Sequence, residues 1–261
     1  RNTIRNNTCA AWGGAIVTGG WCNAIIKNNR IENNTADLGG GAAWFTRSGT
    51  PTFVDNHVEG NSGPYGGAIF VDLDNTPIIE RNLFRRNDAT VGTGGAIRVS
   101  GAGGQIRQNL IRENSSPSGG GGVAVDNADP CSITGNSIVK NDGGGVHVFS
   151  LYVTLERNII ANHPSGSGVV ANGVGSWSCN DVWNNSPANY VGVADPTGSD
   201  GNISADPLFC SGNLNLSISS PCTAENSPSG CGLIGALPAA CEQQVVRVES
   251  VTWGQIKSMY R

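Results

Sequence analysis

Asn109-Leu110-Ile111-Arg112-Glu113-Asn114 is the stretch that decides how this chain folds. Two asparagines bracket it, and an isoleucine stands two places after the first. The same spelling, Asn-x-(apolar)-x-x-Asn, recurs at Asn2/Ile4/Asn7, Asn29/Ile31/Asn34, Asn56/Val58/Asn61, Asn82/Phe84/Asn87, Asn136/Ile138/Asn141 and Asn180/Val182/Asn185. An imperfect copy is Asn158/Ile160/His163. Successive first asparagines lie 27, 27, 26, 27, 27, 22 and 22 residues apart. An aliphatic or aromatic residue precedes most of them by three places: Ile26, Phe53, Ile79, Ile106, Ile133 and Leu155. A second marker follows each motif: Gly13-Gly14-Ala15-Ile16, Gly40-Gly41-Ala42-Ala43, Gly66-Gly67-Ala68-Ile69, Gly94-Gly95-Ala96-Ile97, Gly121-Gly122-Val123 and Gly144-Gly145-Val146. A period this regular marks a solenoid, whose units bury their apolar faces only by stacking on one another.

Each unit reads strand, asparagine turn, strand, glycine-rich loop, strand, with short alternating strands that suit a sheet with one side in the core. The prediction is an all-β, right-handed parallel β-helix of about eight coils, 22–28 residues each, closed by a C-terminal cap. Left-handed hexapeptide solenoids need coils of about 18 residues with equal faces, which these uneven units do not match. Coils stacked roughly 4.8 Å apart would let equivalent asparagines form amide ladders and aliphatic residues form interior columns. Residues 1–209 are assigned to the coils and 210–261 to a disulfide-rich cap and tail. In that tail Thr252-x-x-Gln255 reads as a capping box, with Trp253, Ile256 and Tyr260 on one face of a short helix.

Composition narrows the function classes. The chain has 261 residues, 38 of them glycine, a net charge of −4 and 14% charged residues of both signs. Nothing there suggests nucleic acid, and no apolar run suggests membrane insertion. Eight cysteines (Cys9, Cys22, Cys131, Cys179, Cys210, Cys222, Cys231 and Cys241) read as disulfides and a secreted, extracellular destination. By proximity, Cys9–Cys22 and pairs within Cys210–Cys241 are favoured. The repeat begins within a unit at Asn2, so an upstream part of a longer protein is expected to cover that edge.

Anchored on the Gly-Gly marker, an interior column runs Ile16, Ala43, Ile69, Ile97, Val123, Val146, Val169. The following residues then face outward: Val17, Trp44, Phe70, Arg98, Ala124, His147, Val170. Further along the same face come Gly19, Thr46, Asp72, Ser100, Asp126, Phe149 and Asn172. The small residues preceding the core column, from Ala15 to Gly168, are expected to floor a shallow groove parallel to the solenoid axis. Trp12 and Tyr65 sit in the loops beside it. Exposed aromatics in line suit a polysaccharide, whose rings stack C–H faces on Trp44 or Phe70 while Asp72, Arg98, Asp126 and His147 hydrogen-bond hydroxyls.

Catalytic and metal constellations are weaker. Asp72 and Asp126 stand two coils apart, roughly 10 Å, too far for a retaining carboxylate pair and at the limit for an inverting one. No catalytic residue and no metal ligand is therefore assigned, and no cofactor. Asp72-Leu73-Asp74-Asn75 is the nearest thing to a calcium-type oxygen cluster, read here as a hydrogen-bonded turn. His163 is read as a hydrogen-bonding substitute in the asparagine ladder.

The Asn-x-Ile-x-x-Asn and Gly-Gly-Ala-Ile repeats over residues 2–185 resemble those of right-handed parallel β-helix proteins. The stretch Asn202-Ile203-Ser204-Ala205-Asp206-Pro207-Leu208-Phe209, with Leu214-Asn215-Leu216 and Ser220-Pro221-Cys222, is similar to the C-terminal finish of secreted bacterial members. The chain looks similar to the β-helical carbohydrate-binding modules of gut bacterial xylanases. That resemblance implies a non-catalytic, monomeric module that binds xylan and accompanies an upstream catalytic module in the same polypeptide. A polysaccharide lyase or glycoside hydrolase using the same groove is the first alternative, and a surface adhesin or structural repeat the second.

Overall fold

The computed structural model describes residues 1–242 except 128 and 174; the proposed helix at 252–260 lies outside them. The described residues form a parallel β-helix without helices. Each coil contributes strands to up to four sheets, I to IV in chain order. Sheet I stacks eight strands, from Thr3–Arg5 through Leu110–Arg112 to Asp181–Trp183. Sheet II is short, with four two-residue strands from Thr8–Cys9 to Asp88–Ala89. Sheet III has eight strands, from Ile16–Thr18 to Tyr190–Val191, and sheet IV seven, from Ile25–Lys27 to Ser176–Ser178.

The corners explain the asparagines. The first of each pair closes the bend from sheet IV into sheet I, and the second the bend from I into II. Asn109 is fully buried. Its Oδ1 accepts from Asn82 N–H at 2.9 Å and Asn82 Nδ2 at 3.1 Å. Its Nδ2 donates to the Ile79 carbonyl at 2.8 Å and to Asn136 Oδ1 at 3.0 Å. One ladder of this kind runs from Asn2 to Asn202 and a second from Asn7 to Asn141. The residue ahead of each rung is left-handed: Asn28, Asp55, Arg86, Glu113 and Lys140 have φ between 53° and 58°. That bend swings the next side chain under the neighbouring coil. It costs a non-glycine residue about 1–2 kcal/mol, which the saturated amide offsets.

His163 takes a rung, as expected. Its Nδ1 accepts from Asn141 N–H at 3.0 Å and its backbone N–H donates to Asn185 Oδ1. Nε2 is buried without a partner, and desolvation pushes the ring's pKa down to about 3.

Inward residues stack as read. Sheet I contributes Ile31, Val58, Phe84, Ile111, Ile138 and Ile160, and sheet IV Phe53, Ile79, Ile106, Ile133 and Leu155. The sheet III column is paired in the expected register from Ile16 to Val169. Ala42, Ala68 and Ala96, however, are fully buried members of the core and do not floor an outer groove. A Cβ on Gly122 would lie 2.5 Å from Ile138, and one on Gly168 2.8 Å from Val182, so these positions face sheet I. Two successive inward residues occur because the chain is still turning its corner there, which breaks strict alternation.

Sheet I changes character along its outer side. Early coils display Arg30, Glu32, His57, Glu59 and Arg85, whereas Ile159 and Ala161 are fully buried. Ile203, Phe209, Leu216, Cys222, Leu233 and Ile234 pack over these two. Cys179 is bonded to Cys231 and Cys210 to Cys241. The expected Cys9–Cys22 bond is absent: Cys9 lies on sheet II and Cys22 in the bend between III and IV, at different corners of the coil. Asp181, buried where the segment folds back, accepts from Ala205 N–H and Cys222 Sγ–H. Burial raises its pKa to about 6.

Replacing Asn109 with Leu should destabilise the chain by at least about 3 kcal/mol in urea unfolding, because several buried groups lose partners at about 1–3 kcal/mol each. A histidine held below its ordinary pKa stabilises the fold above about pH 6.5 and loses that contribution as pH falls toward 3. Asp181 works in reverse, its contribution complete below about pH 4 and lost as pH rises through 6. Comparing His163→Asn with the native chain isolates the histidine. The variant should gain about 2 kcal/mol on the native chain between pH 8 and pH 5.

Candidate binding cleft along the solenoid

The outer side of sheet III holds the residues expected to bind ligand. Trp44, Phe70, Arg98, Ala124 and His147 are lateral neighbours in consecutive coils, and Asp72, Ser100, Asp126 and Phe149 form the column beside them. After Val148 the register shifts, so Phe149 pairs with Gly173 where Asn172 was expected.

Trp44 and Phe70 are roofed. Trp12, from the first glycine-rich loop, stacks on Trp44 with centroids 4.9 Å apart and an interplanar angle of 25°, and lies 6.1 Å from Phe70. Tyr65 covers Phe70 from the other side at 6.2 Å, leaving Phe70 7% exposed. The Arg98 guanidinium sits over the Tyr65 ring at 4.9 Å and over Phe70 at 5.9 Å, and its Nη2 pairs with Asp126 at 3.0 Å. These rings therefore pack on one another, and Trp12 and Tyr65 meet solvent at the edge of the stack. Asp72 Oδ1 is buried without a partner, in a turn whose Leu73 and Asp74 are both left-handed.

The roof ends where the loops shorten. Val123 follows Asn114 by nine residues, Val146 follows Asn141 by five and Val169 follows His163 by six. The step leaves an open cleft of about 780 Å³. One wall carries Asp88, Ser115, Asp142 and Ser165, paired laterally coil to coil. Ser115 Oγ donates to Asp88 and Ser165 Oγ to Asp142. The loop Ser116–Gly119 closes one end, and His147 and Val170 form the opposite wall. Both ring nitrogens of His147 are buried without a hydrogen-bond partner. Its ring meets Phe149 edge-on at 4.3 Å. Burial pushes its pKa down, Asp126 pulls it up and Arg98 pushes it down further. The structure thus separates the six expected residues into a packed cluster (Trp44, Phe70, Arg98 and Asp126), Asp72 in its turn, and His147 in the open cleft.

Asp88, Ser115, Asp142 and Ser165 were not singled out from sequence, although a signal existed. The residue after the second ladder asparagine is Thr8, Thr35, Ser62, Asp88, Ser115 and Asp142 in turn, always a hydroxyl or carboxylate.

Residues 25–205 match the family model described as periplasmic copper-binding protein (NosD). The chain belongs to the NosD family. No curated protein and no solved structure matches it. The family description and the two disulfides agree on an extracytoplasmic compartment.

Copper needs soft or imidazole donors gathered at one point. Among the described residues the trio that could meet one ion is Glu32, His57 and Glu59, within 4.8 Å of one another. Each is already engaged. Glu32 Oε1 accepts from Arg30 Nε at 2.8 Å. Glu59 Oε2 accepts from His57 Nε2 at 2.8 Å, and its Oε1 faces Arg85 and Arg86 at 3.8 and 3.6 Å. Three guanidinium groups beside two carboxylates oppose a further cation. The free thiols of Cys9, Cys22, Cys131 and Cys222 are not part of this trio. The described residues do not fit a copper centre. Calorimetric titration with Cu(II) should accordingly give the same isotherm for the native chain and for His57→Ala.

Proposed function

We propose that this NosD-family chain is a non-catalytic glycan-binding solenoid acting outside the cytoplasm. The observation that carries the reading is the open cleft. It runs along the solenoid axis, is lined by serine hydroxyls and carboxylates, and is bordered by the His147 ring. Sugar hydroxyls both donate and accept, so such a wall offers them partners at every coil. Pro117, Val170 and Pro187 in its lining supply apolar surface for sugar rings to pack on. Xylan is the favoured polymer through the resemblance to β-helical xylan-binding modules, and the same resemblance supports a monomeric module accompanying an upstream catalytic one.

A lyase or hydrolase is the rival. Asp126 is committed to Arg98, and Asp72 stands two coils away, roughly 10 Å by strand spacing. A retaining pair needs about 5–5.5 Å. The family description likewise names a binding role.

Affinity electrophoresis through gels containing xylan, glucan, mannan or pectin tests the proposal, with product analysis of the same mixtures. Retardation without new reducing ends or unsaturated products is expected, and His147→Ala should weaken it at least tenfold. Phe70→Ala should instead lower the melting temperature with little loss of affinity in the folded fraction. Retardation by none of the polymers would leave the structural or adhesive repeat as the better reading.

A further inference from the structure

We propose that the cleft takes a neutral, extended glycan lying along the solenoid axis, one sugar per coil over four coils, with Asp88, Ser115, Asp142 and Ser165 as its hydrogen-bonding rail. The inference rests on the glycan-binding reading and adds the ligand's charge, its direction and the number of sugars held.

Charge is decided by the lining. Asp88 and Asp142 both face the cleft, and no lysine or arginine is among the residues that line it. Arg98, a nearby cation, is held by Asp126 and by the Tyr65 and Phe70 rings. A uronate or sulfated chain would bring anions against two carboxylates with no compensating cation. The rail is also rich in acceptors. Ser115 and Ser165 spend their hydroxyl protons on Asp88 and Asp142, and Ser165 Oγ additionally accepts from Gly143 N–H. What remains on offer is mostly oxygen lone pairs, which calls for a ligand bearing many O–H donors.

Direction and length follow from register. The four rail residues are lateral partners in consecutive coils, so they repeat at roughly 4.8 Å along the axis. That step is close to the advance of one residue in an extended β-1,4-linked chain, so each coil meets one sugar, with successive rings rotated about the chain axis. On the opposite wall Val170 supplies apolar contact beside the His147 ring, whose two nitrogens are buried, and Pro117 and Pro187 add apolar surface to the lining. The Ser116–Gly119 loop bounds the run, with Ser116 Oγ donating to the Gly92 carbonyl at 2.7 Å and Ser118 Oγ to that of Val91 at 2.9 Å.

Calorimetry with β-1,4-linked xylo- and cello-oligosaccharides of two to six residues, and with tetragalacturonate, tests this. Affinity in at least one neutral series should rise with each sugar up to four and then level off. Tetragalacturonate should bind at least tenfold more weakly than the better neutral tetramer. Asp142→Ala should cost at least tenfold for that tetramer, with Ser115→Ala as a milder second variant; matching melting curves confirm that both fold. A plateau at two, equal binding of tetragalacturonate, or unchanged affinity in both variants would overturn the inference while leaving glycan binding intact. If no oligosaccharide binds and no polymer retards the chain, the glycan-binding reading itself falls.

Discussion

Everything in this solenoid hangs on the buried asparagine amide. A parallel stack has to bend sharply at two corners per coil, and each bend leaves backbone groups pointing into the interior, where an unpaired donor or acceptor is costly. One asparagine meets that demand alone. It bonds a backbone carbonyl of the preceding coil, the N–H and amide of the rung below, and the amide oxygen of the rung above. With the corners fixed, strand lengths and register follow, and the aliphatic columns can fill the space between three long sheets.

The rungs also dictate what may vary. The segment between the second asparagine and the glycine pair lies outside the ladders, so its length can change without disturbing the stack. Where it is long it carries Trp12 or Tyr65 back over sheet III; where it contracts, as after Asn141, the sheet is bare. The cleft is thus made by removal of residues from a loop. Its chemistry comes from an outward column of hydroxyls and carboxylates that recurs from coil to coil.

This division explains which features were legible in the sequence. The inward columns could be read residue by residue, from Ile16 to Val169, because alternation and the Gly-Gly marker repeat with the period. His163 was readable as a rung for the same reason. The path of a loop leaves no periodic trace, so the roofing of Trp44 and Phe70 by Trp12 and Tyr65 stayed hidden, and with it the difference between a packed ring and a sugar platform. Alternation fails at a corner, which is why Ala42, Ala68 and Ala96 read as outward when they lie in the core. The Cys179–Cys231 bond needed the path of the segment folded over Ile159 and Ala161. The rail of Asp88, Ser115, Asp142 and Ser165 was visible as a column of like residues, but its importance depends on the contracted loops beside it.

The ladders have a sense. From Asn2 to Asn202 each rung sends its N–H groups toward the following coil and receives them on its oxygen from the preceding one. The second ladder runs the same way. Rows of aligned amides polarise one another, so the solenoid carries two parallel dipole chains along its axis. The two ends of such a stack differ: the Asn2 end carries the oxygen side of its row, while Asn202 turns its Nδ2 hydrogens back to the Trp177 and Ser199 carbonyls. Another coil can extend the rows in one orientation only, giving the molecule a polarity like that of a filament whose subunits join head to tail.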